Sequence, residues 1–304
     1  MTTRRLILSL AQNPTLRRFV RRHGMRLGAA RFVAGETLDD CVVVLRRLNA
    51  AGLMTNTTLL GESVRDPAHA AQVAETYVGV LDRIAREGLV TNLAVKLTHL
   101  GLEVGEEQAY ASLRRLVEHA ALRGNFVRID MEDSPKVEAT LRIYRRLRAE
   151  GFGNVGAVLQ SYLYRTEADL SQLLPLRPNL RLVKGAYLEP PDVAFPRKAD
   201  VDRNFVRLME RMLLEAGYTA VATHDDRIIA HAIAFIAQRA IPPDRFEFQM
   251  LYGVRSGLQQ DLVGRGFPVR VATPYGPDWY PYLMRRLAER PANVLFMLRN
   301  LVRR

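Results

Sequence analysis

The segment 275–289 reads Tyr-Gly-Pro-Asp-Trp-Tyr-Pro-Tyr-Leu-Met-Arg-Arg-Leu-Ala-Glu. If 279–290 is helical, Tyr282, Arg285, Arg286 and Glu289 share one face at i, i+3, i+4 and i+7. Two adjacent guanidinium groups beside a phenol suit a two-pronged grip on a carboxylate. As plain surface, the same pattern is a solvated helix with an Arg–Glu pair. The aromatic residues around it argue against that. A second set of polar residues follows short apolar runs: Glu62, Lys96, Asp130 with Glu132, Gln160, Lys184, His224 and Gln249. Lys96 and Lys184 are two of only 4 lysines among 44 basic residues. An arginine-dominated chain that uses lysine here suggests a role for a compact ammonium group.

These side chains need a scaffold that brings distant positions to one rim. Candidate strands are Met54–Gly61, Asn92–Leu97, Phe126–Met131, Val155–Gln160, Leu180–Gly185, Thr219–Thr223, Phe246–Met250 and Val269–Thr273. Amphipathic stretches separate them, including Ala70–Glu87, Glu106–Arg123, Lys136–Glu150, Asp202–Ala216 and Asp226–Arg239. The strands recur at intervals of about 31 residues, the length of a βα unit. Eight right-handed βα units close into a (βα)8 barrel, whose chemistry collects at the C-terminal ends of the strands. Each polar group named above stands at such an end. The reading is therefore an α/β chain forming one barrel domain over 1–304. It has a helical lead-in over 1–51, the barrel and substrate helix over 54–290, and a C-terminal helix over 291–304. The helix after the eighth strand is expected over the barrel mouth.

Composition narrows the function classes. With 48% hydrophobic and 25% charged residues, the chain has an ordinary globular balance. The single cysteine, Cys41, excludes an internal disulfide framework and fits a reducing, cytoplasmic setting. No apolar run reaches the length of a membrane span, and the stretch after Arg4 and Arg5 is too short for a signal peptide. The net charge of +12 includes Arg17, Arg18, Arg21, Arg22 and Arg26 at helical spacing. No zinc-finger, RNA-binding or basic-zipper pattern accompanies them, so nucleic acid is not expected as a partner. Docking on an anionic membrane surface remains open.

Two motifs mislead. Gly151, Gly153 and Gly156 spell G-x-G-x-x-G, but they follow a helix and lead into a strand, so they read as a helix C-cap and turn. His224-Asp225-Asp226 invites a metal, yet no H-x-H or H-E-x-x-H accompanies it and no metal is expected. The donor nitrogens of His224 suit a cofactor phosphate or ribose better.

The rim residues, taken in order, resemble the proline dehydrogenase family in its short, monofunctional bacterial form. The resemblance spans essentially the whole chain. It is carried by Val95-Lys96-Leu97, Ile129-Asp130-Met131-Glu132, Leu159-Gln160-Ser161-Tyr162, Arg181-Leu182-Val183-Lys184-Gly185-Ala186-Tyr187, Ala222-Thr223-His224, the run Phe246 to Gly253, and Tyr282-x-x-Arg285-Arg286-x-x-Glu289. It implies a distorted barrel holding FAD non-covalently and oxidising L-proline to 1-pyrroline-5-carboxylate, by hydride transfer to flavin N5. Electrons would pass to a membrane quinone, and the product to a separate pyrroline-5-carboxylate dehydrogenase. The enzyme would be cytoplasmic, with peripheral attachment to the inner face of the cell membrane.

The resemblance also implies roles. Arg285, Arg286 and Lys96 would bind the substrate carboxylate, and Tyr187, Leu251 and Tyr282 would wall the ring. Asp130 would neutralise and orient Lys96 and be important for activity, and Arg181 would reach the flavin side. Met131, Gln160, Lys184, Gly185, Ala186, Thr223, His224, Gln249 and Glu289 would hold the cofactor. Glu62 would pair with Arg285 as a gate.

One departure stands out: the family commonly carries Tyr where this chain has Ala272. The space this opens suggests tolerance or preference for hydroxyproline. A competing reaction class on the same fold is a Schiff-base aldolase with Lys96 or Lys184 as nucleophile.

Overall fold

A computed structural model describes residues 28–289 continuously and, before them, residues 13, 18, 20–22, 24 and 25. Of Ala288 and Glu289 only the backbone is described. Arg17, Arg26, the side chain of Glu289, most of the expected lead-in before residue 28 and the expected helix over 291–304 lie outside the described residues.

Eight parallel strands form a closed barrel in chain order. They are β1 (Met54–Leu59), β2 (Thr91–Val95), β3 (Val127–Ile129), β4 (Val155–Gln160), β5 (Asn179–Val183), β6 (Tyr218–Ala222), β7 (Phe246–Leu251) and β8 (Val269–Tyr275). Each expected strand is present, within three residues at either end. Helices are α1 (Leu38–Ala50), α2 (Pro67–Arg86), α3 (Glu106–Leu122), α4 (Ser134–Ala149), α5 (Thr166–Leu173), α6 (Lys198–Glu215), α7 (Asp226–Gln238), α8 (Ser256–Gly264) and α9 (Trp279–Glu289). The short helices α5 and α8 have weak amphipathic patterns and were not foreseen.

Local chemistry fixes the helix ends. Thr37 and Asp40 form a reciprocal capping box at the start of α1. Asp66 caps α2, with Pro67 at its first position. The misleading glycine motif is a helix stop: Gly151 N donates to Arg148 O and Phe152 N to Leu147 O, the paired bonds of a Schellman motif.

The outer face of the barrel is apolar and packs on the helices in one large core cluster. α1 packs against β1 and β8, the place on the outer ring where a helix following β8 would otherwise lie. Cys41 on α1 is buried there against Thr57, 3.3 Å away. α9 instead packs in a second apolar cluster, with Trp279, Tyr280, Leu283, Met284 and Leu287 against Ala29, Phe32, Val33 and Leu60. Trp279 Nε1 also donates to Glu36 at 2.6 Å.

The barrel interior is charged rather than aliphatic. Arg270 Nε donates to both oxygens of Glu247 at 3.0 Å. Arg128 bonds Asn179 O and Ala157 O, and its ring neighbour is Phe126, 4.8 Å from the guanidinium carbon. An added Cβ at Gly156 would lie 2.4 Å from Arg128, so this strand residue leaves room for the guanidinium.

Candidate active site

Residues just past the strands converge at one rim. Lys96 follows β2, Asp130 and Met131 follow β3, Gln160 ends β4, and Lys184 to Tyr187 follow β5. Thr223 and His224 follow β6, Leu251 ends β7, and Glu62 lies in the loop after β1. α9 adds Tyr282, Arg285 and Arg286. Parallel strands deliver all these side chains to one end because every strand points the same way.

At one end of this rim, Glu62 is bridged by two cations. Lys96 Nζ donates to one carboxylate oxygen and Arg285 Nη1 to the other, the latter at 2.8 Å. Burial works against the carboxylate charge, but Lys96 and Arg285 outweigh it and hold the Glu62 pKa down at about 2. Burial likewise opposes the Arg285 charge, and Glu62 more than offsets it. Beside this bridge is a cavity of about 120 Å³ lined by Leu60, Gly61, Glu62, Lys96, Asp278, Pro281, Tyr282 and Arg285. Arg286 stacks over the Tyr282 ring at 5.4 Å. Tyr187 is partly covered, and burial together with Glu132 and Glu62 raises its hydroxyl pKa far above the usual phenol range.

The expected Lys96–Asp130 pairing is corrected by the structure. Asp130 accepts from Arg181 Nη1 at 2.6 Å, while Lys96 turns to Glu62. Arg181 comes from within β5 and points inward, so its guanidinium meets Asp130 across the barrel mouth. Glu62, in the loop after β1, takes the ammonium instead. His224 Nε2 accepts from Leu251 N–H at 2.9 Å. Gln249 turns into the barrel and donates to Glu247.

The opposite end of the rim has the chemistry for an anionic, ring-bearing cofactor. Lys184 bridges Asp202 and Asp225 at 2.5 and 2.9 Å. Arg181 Nε is buried without a hydrogen-bond partner among the described residues. Gly185 has φ +118°, and a Cβ there would sit 2.3 Å from the Tyr162 ring. A side chain would therefore close this approach. Cationic donors, an unmatched buried N–H and an open backbone approach fit a flavin dinucleotide. Asp202 and Glu189, the latter accepting from Ser134 N and Oγ at 2.7 and 2.6 Å, were not foreseen. Neither lies in a strand-end pattern. Among the described residues no three His, Cys, Asp or Glu side chains group as a metal site.

Known proteins resemble this chain over nearly its whole length. Residues 41–299 match the family model described as proline dehydrogenase. The chain is 46% identical over 301 residues to proline dehydrogenase 1 of Bacillus subtilis, covering 99% of each chain. It is 41% identical over 304 residues to the proline dehydrogenase of Deinococcus radiodurans, covering 99% of this chain and 98% of that one. Among solved structures, proline utilization A from Bdellovibrio bacteriovorus superposes with a TM-score of 0.80 at 24% identity. That match covers 86% of this chain and 32% of the larger protein, and it bears on the fold alone. A barrel with this rim, and relatives matched over nearly their full length, establish that the chain belongs to the proline dehydrogenase family.

Proposed function

We propose that this chain is a monofunctional, FAD-dependent enzyme that oxidises L-proline to 1-pyrroline-5-carboxylate, the first step of proline catabolism. The observation that carries the reading is the convergence of Lys96 and Arg285 on one carboxylate, Glu62, beside a small cavity under α9. Cations that close on Glu62 can equally grip a substrate carboxylate. Arg286 adds a third positive charge, and Tyr187, Leu251 and Tyr282 supply walls for a saturated ring. Glu62 serves as the gate that holds Arg285 over the site.

Oxidation of the ring C5–N bond removes a hydride from C5 and requires the amine without its extra proton. The cationic cluster positions the ring and disfavours the protonated amine. The apolar seat of α9 places that helix to exclude water. Met131, Gln160, Lys184, Gly185, Ala186, Thr223 and His224 would hold FAD, and Glu289 joins them as a proposal by resemblance. Gln249 would act from below through Glu247. Bound there, the flavin supplies the hydride acceptor. Arg181, held by Asp130, would place positive charge against the cofactor.

We assign membrane quinone as the electron acceptor and a separate pyrroline-5-carboxylate dehydrogenase as the consumer of the product. No helix among the described residues is long and apolar enough to cross a membrane. Peripheral attachment to the inner membrane face would use the basic N-terminal residues Arg17, Arg18, Arg21 and Arg22. Neutralising these four should weaken binding to anionic liposomes. Undiminished binding would remove that part of the proposal. The aldolase reading is disfavoured because Lys96 faces Glu62, and Lys184 faces Asp202 and Asp225. Both nitrogens are held in ion pairs rather than left open to attack a carbonyl.

The test is steady-state turnover of L-proline with a quinone acceptor, for the wild type and Arg285→Met. The substitution should raise KM about tenfold or more, as expected on losing a charged hydrogen-bond donor. An unchanged KM would contradict the carboxylate assignment.

A further inference from the structure

Glu132 is buried at 5% exposure and has no cation at ion-pair distance among the described residues. Its two carboxylate oxygens are both committed to one residue. Thr98 N donates to Oε1 at 3.0 Å and Thr98 Oγ1 to Oε2 at 2.6 Å. Thr98 is itself buried at 2% exposure and stands two residues after Lys96. The turn between them is tight, with His99 N and Leu100 N both donating to Lys96 O. On its other side, the backbone carbonyl of Glu132 accepts from Gln160 Nε2 at 2.8 Å. One residue thus joins the turn carrying Lys96 to the end of β4. Burying a carboxyl without a cation is costly, and burial does hold its pKa above the ordinary carboxylate range. A residue kept at that cost, in a rim otherwise built from ion pairs, needs a reason in its position.

We infer that Glu132 is a positioning residue: through Thr98 it fixes where Lys96 presents its ammonium, and through Gln160 it ties that position to the cofactor side of the rim. The inference rests on the reading that Lys96 binds the substrate carboxylate. Glu132 touches neither the substrate cavity nor the reacting atoms in this account. It acts by keeping the turn 96–100 in one register against β3 and β4, so that the carboxylate grip and the flavin wall keep a set separation. A role as mere counter-charge predicts the opposite sign, because removing its negative charge would strengthen anion binding.

The experiment measures binding of cyclopentanecarboxylate, proline's ring without its nitrogen, by calorimetry on the full chain as purified. Glu132→Ala should weaken binding about tenfold, and Glu132→Gln, which keeps a similar shape and hydrogen-bonding reach, should recover most of the loss. Thr98→Ala keeps the backbone N–H and should weaken binding about threefold. Lys96→Ala should itself weaken binding, and in that background Thr98→Ala should have no further effect. Tighter binding by Glu132→Gln, or a Thr98→Ala loss that persists without Lys96, would overturn the inference. Wild-type binding by both Glu132→Ala and Thr98→Ala would do the same. Wild-type binding by Lys96→Ala would instead overturn the carboxylate role of Lys96, and the inference with it.

Discussion

Asp130 and Arg181 form a 2.6 Å ion pair at the barrel mouth, with Arg181 only 8% exposed. This pair holds Asp130 against Arg181, the residue proposed to face the cofactor, and leaves Lys96 to Glu62. Asp130→Ala should therefore lower kcat by about tenfold or more, with a smaller change in KM for proline. Steady-state kinetics check this. A change confined to KM would return Asp130 to the substrate carboxylate.

The Glu62 bridge has a defined pH window. Its pKa falls from an ordinary 4.5 to about 2, so the folded value is depressed. The stabilisation is fully present above about pH 4.5 and is lost progressively as pH falls through the folded value near 2. Glu62→Gln should lower Tm by a constant amount from about pH 5 to pH 8, with the difference shrinking below about pH 4. Thermal unfolding of both proteins across that range is the measurement. A difference that instead grew towards acid would contradict the assignment.

The charged barrel floor predicts a stability effect remote from the site. Glu247 is 2% exposed, and Arg270 is its cationic partner. Arg270→Met leaves the carboxylate buried without its charge partner and should cost about 3 kcal/mol. The urea unfolding midpoint reports this at constant m-value. A loss below about 1 kcal/mol would mean that Gln249 and the floor relax around Glu247.

Ala272 sits on β8 in register with Asn56 on β1 and Leu251 on β7, and it shares the inward parity of Arg270. If Leu251 walls the substrate ring as proposed, the small side chain at 272 leaves space beside it. Ala272→Tyr should cut the ratio of kcat/KM for trans-4-hydroxyproline over proline by about tenfold. A strong preference for proline that the substitution does not change would remove this reading.

The barrel was legible because its signals are periodic. Eight β-branched runs at even spacing, seven of them finishing in a polar group, specify both the fold and the rim. The ring positions Lys96, Asp130, Gln160 and Lys184 stand out for the same reason. Pairings did not stand out. Lys96 and Asp130 follow adjacent strands, but side-chain reach, rather than strand adjacency, decides that Glu62 takes the ammonium. Arg128, Glu247 and Arg270 were overlooked because barrel interiors are expected to be aliphatic. The alternation in Val127-Arg128-Ile129 and Val269-Arg270-Val271 is the signal that shows these residues facing inward. Glu132 was visible as a strand-end acid, but its bond to Thr98 depends on the turn after Lys96, which no residue spacing encodes.

The most direct test is the absorbance spectrum of the purified chain without oxygen, before and after L-proline. The account predicts a yellow protein whose flavin bands are bleached by proline and restored by a quinone. A colourless protein, or a flavin spectrum that proline leaves unchanged, would contradict it.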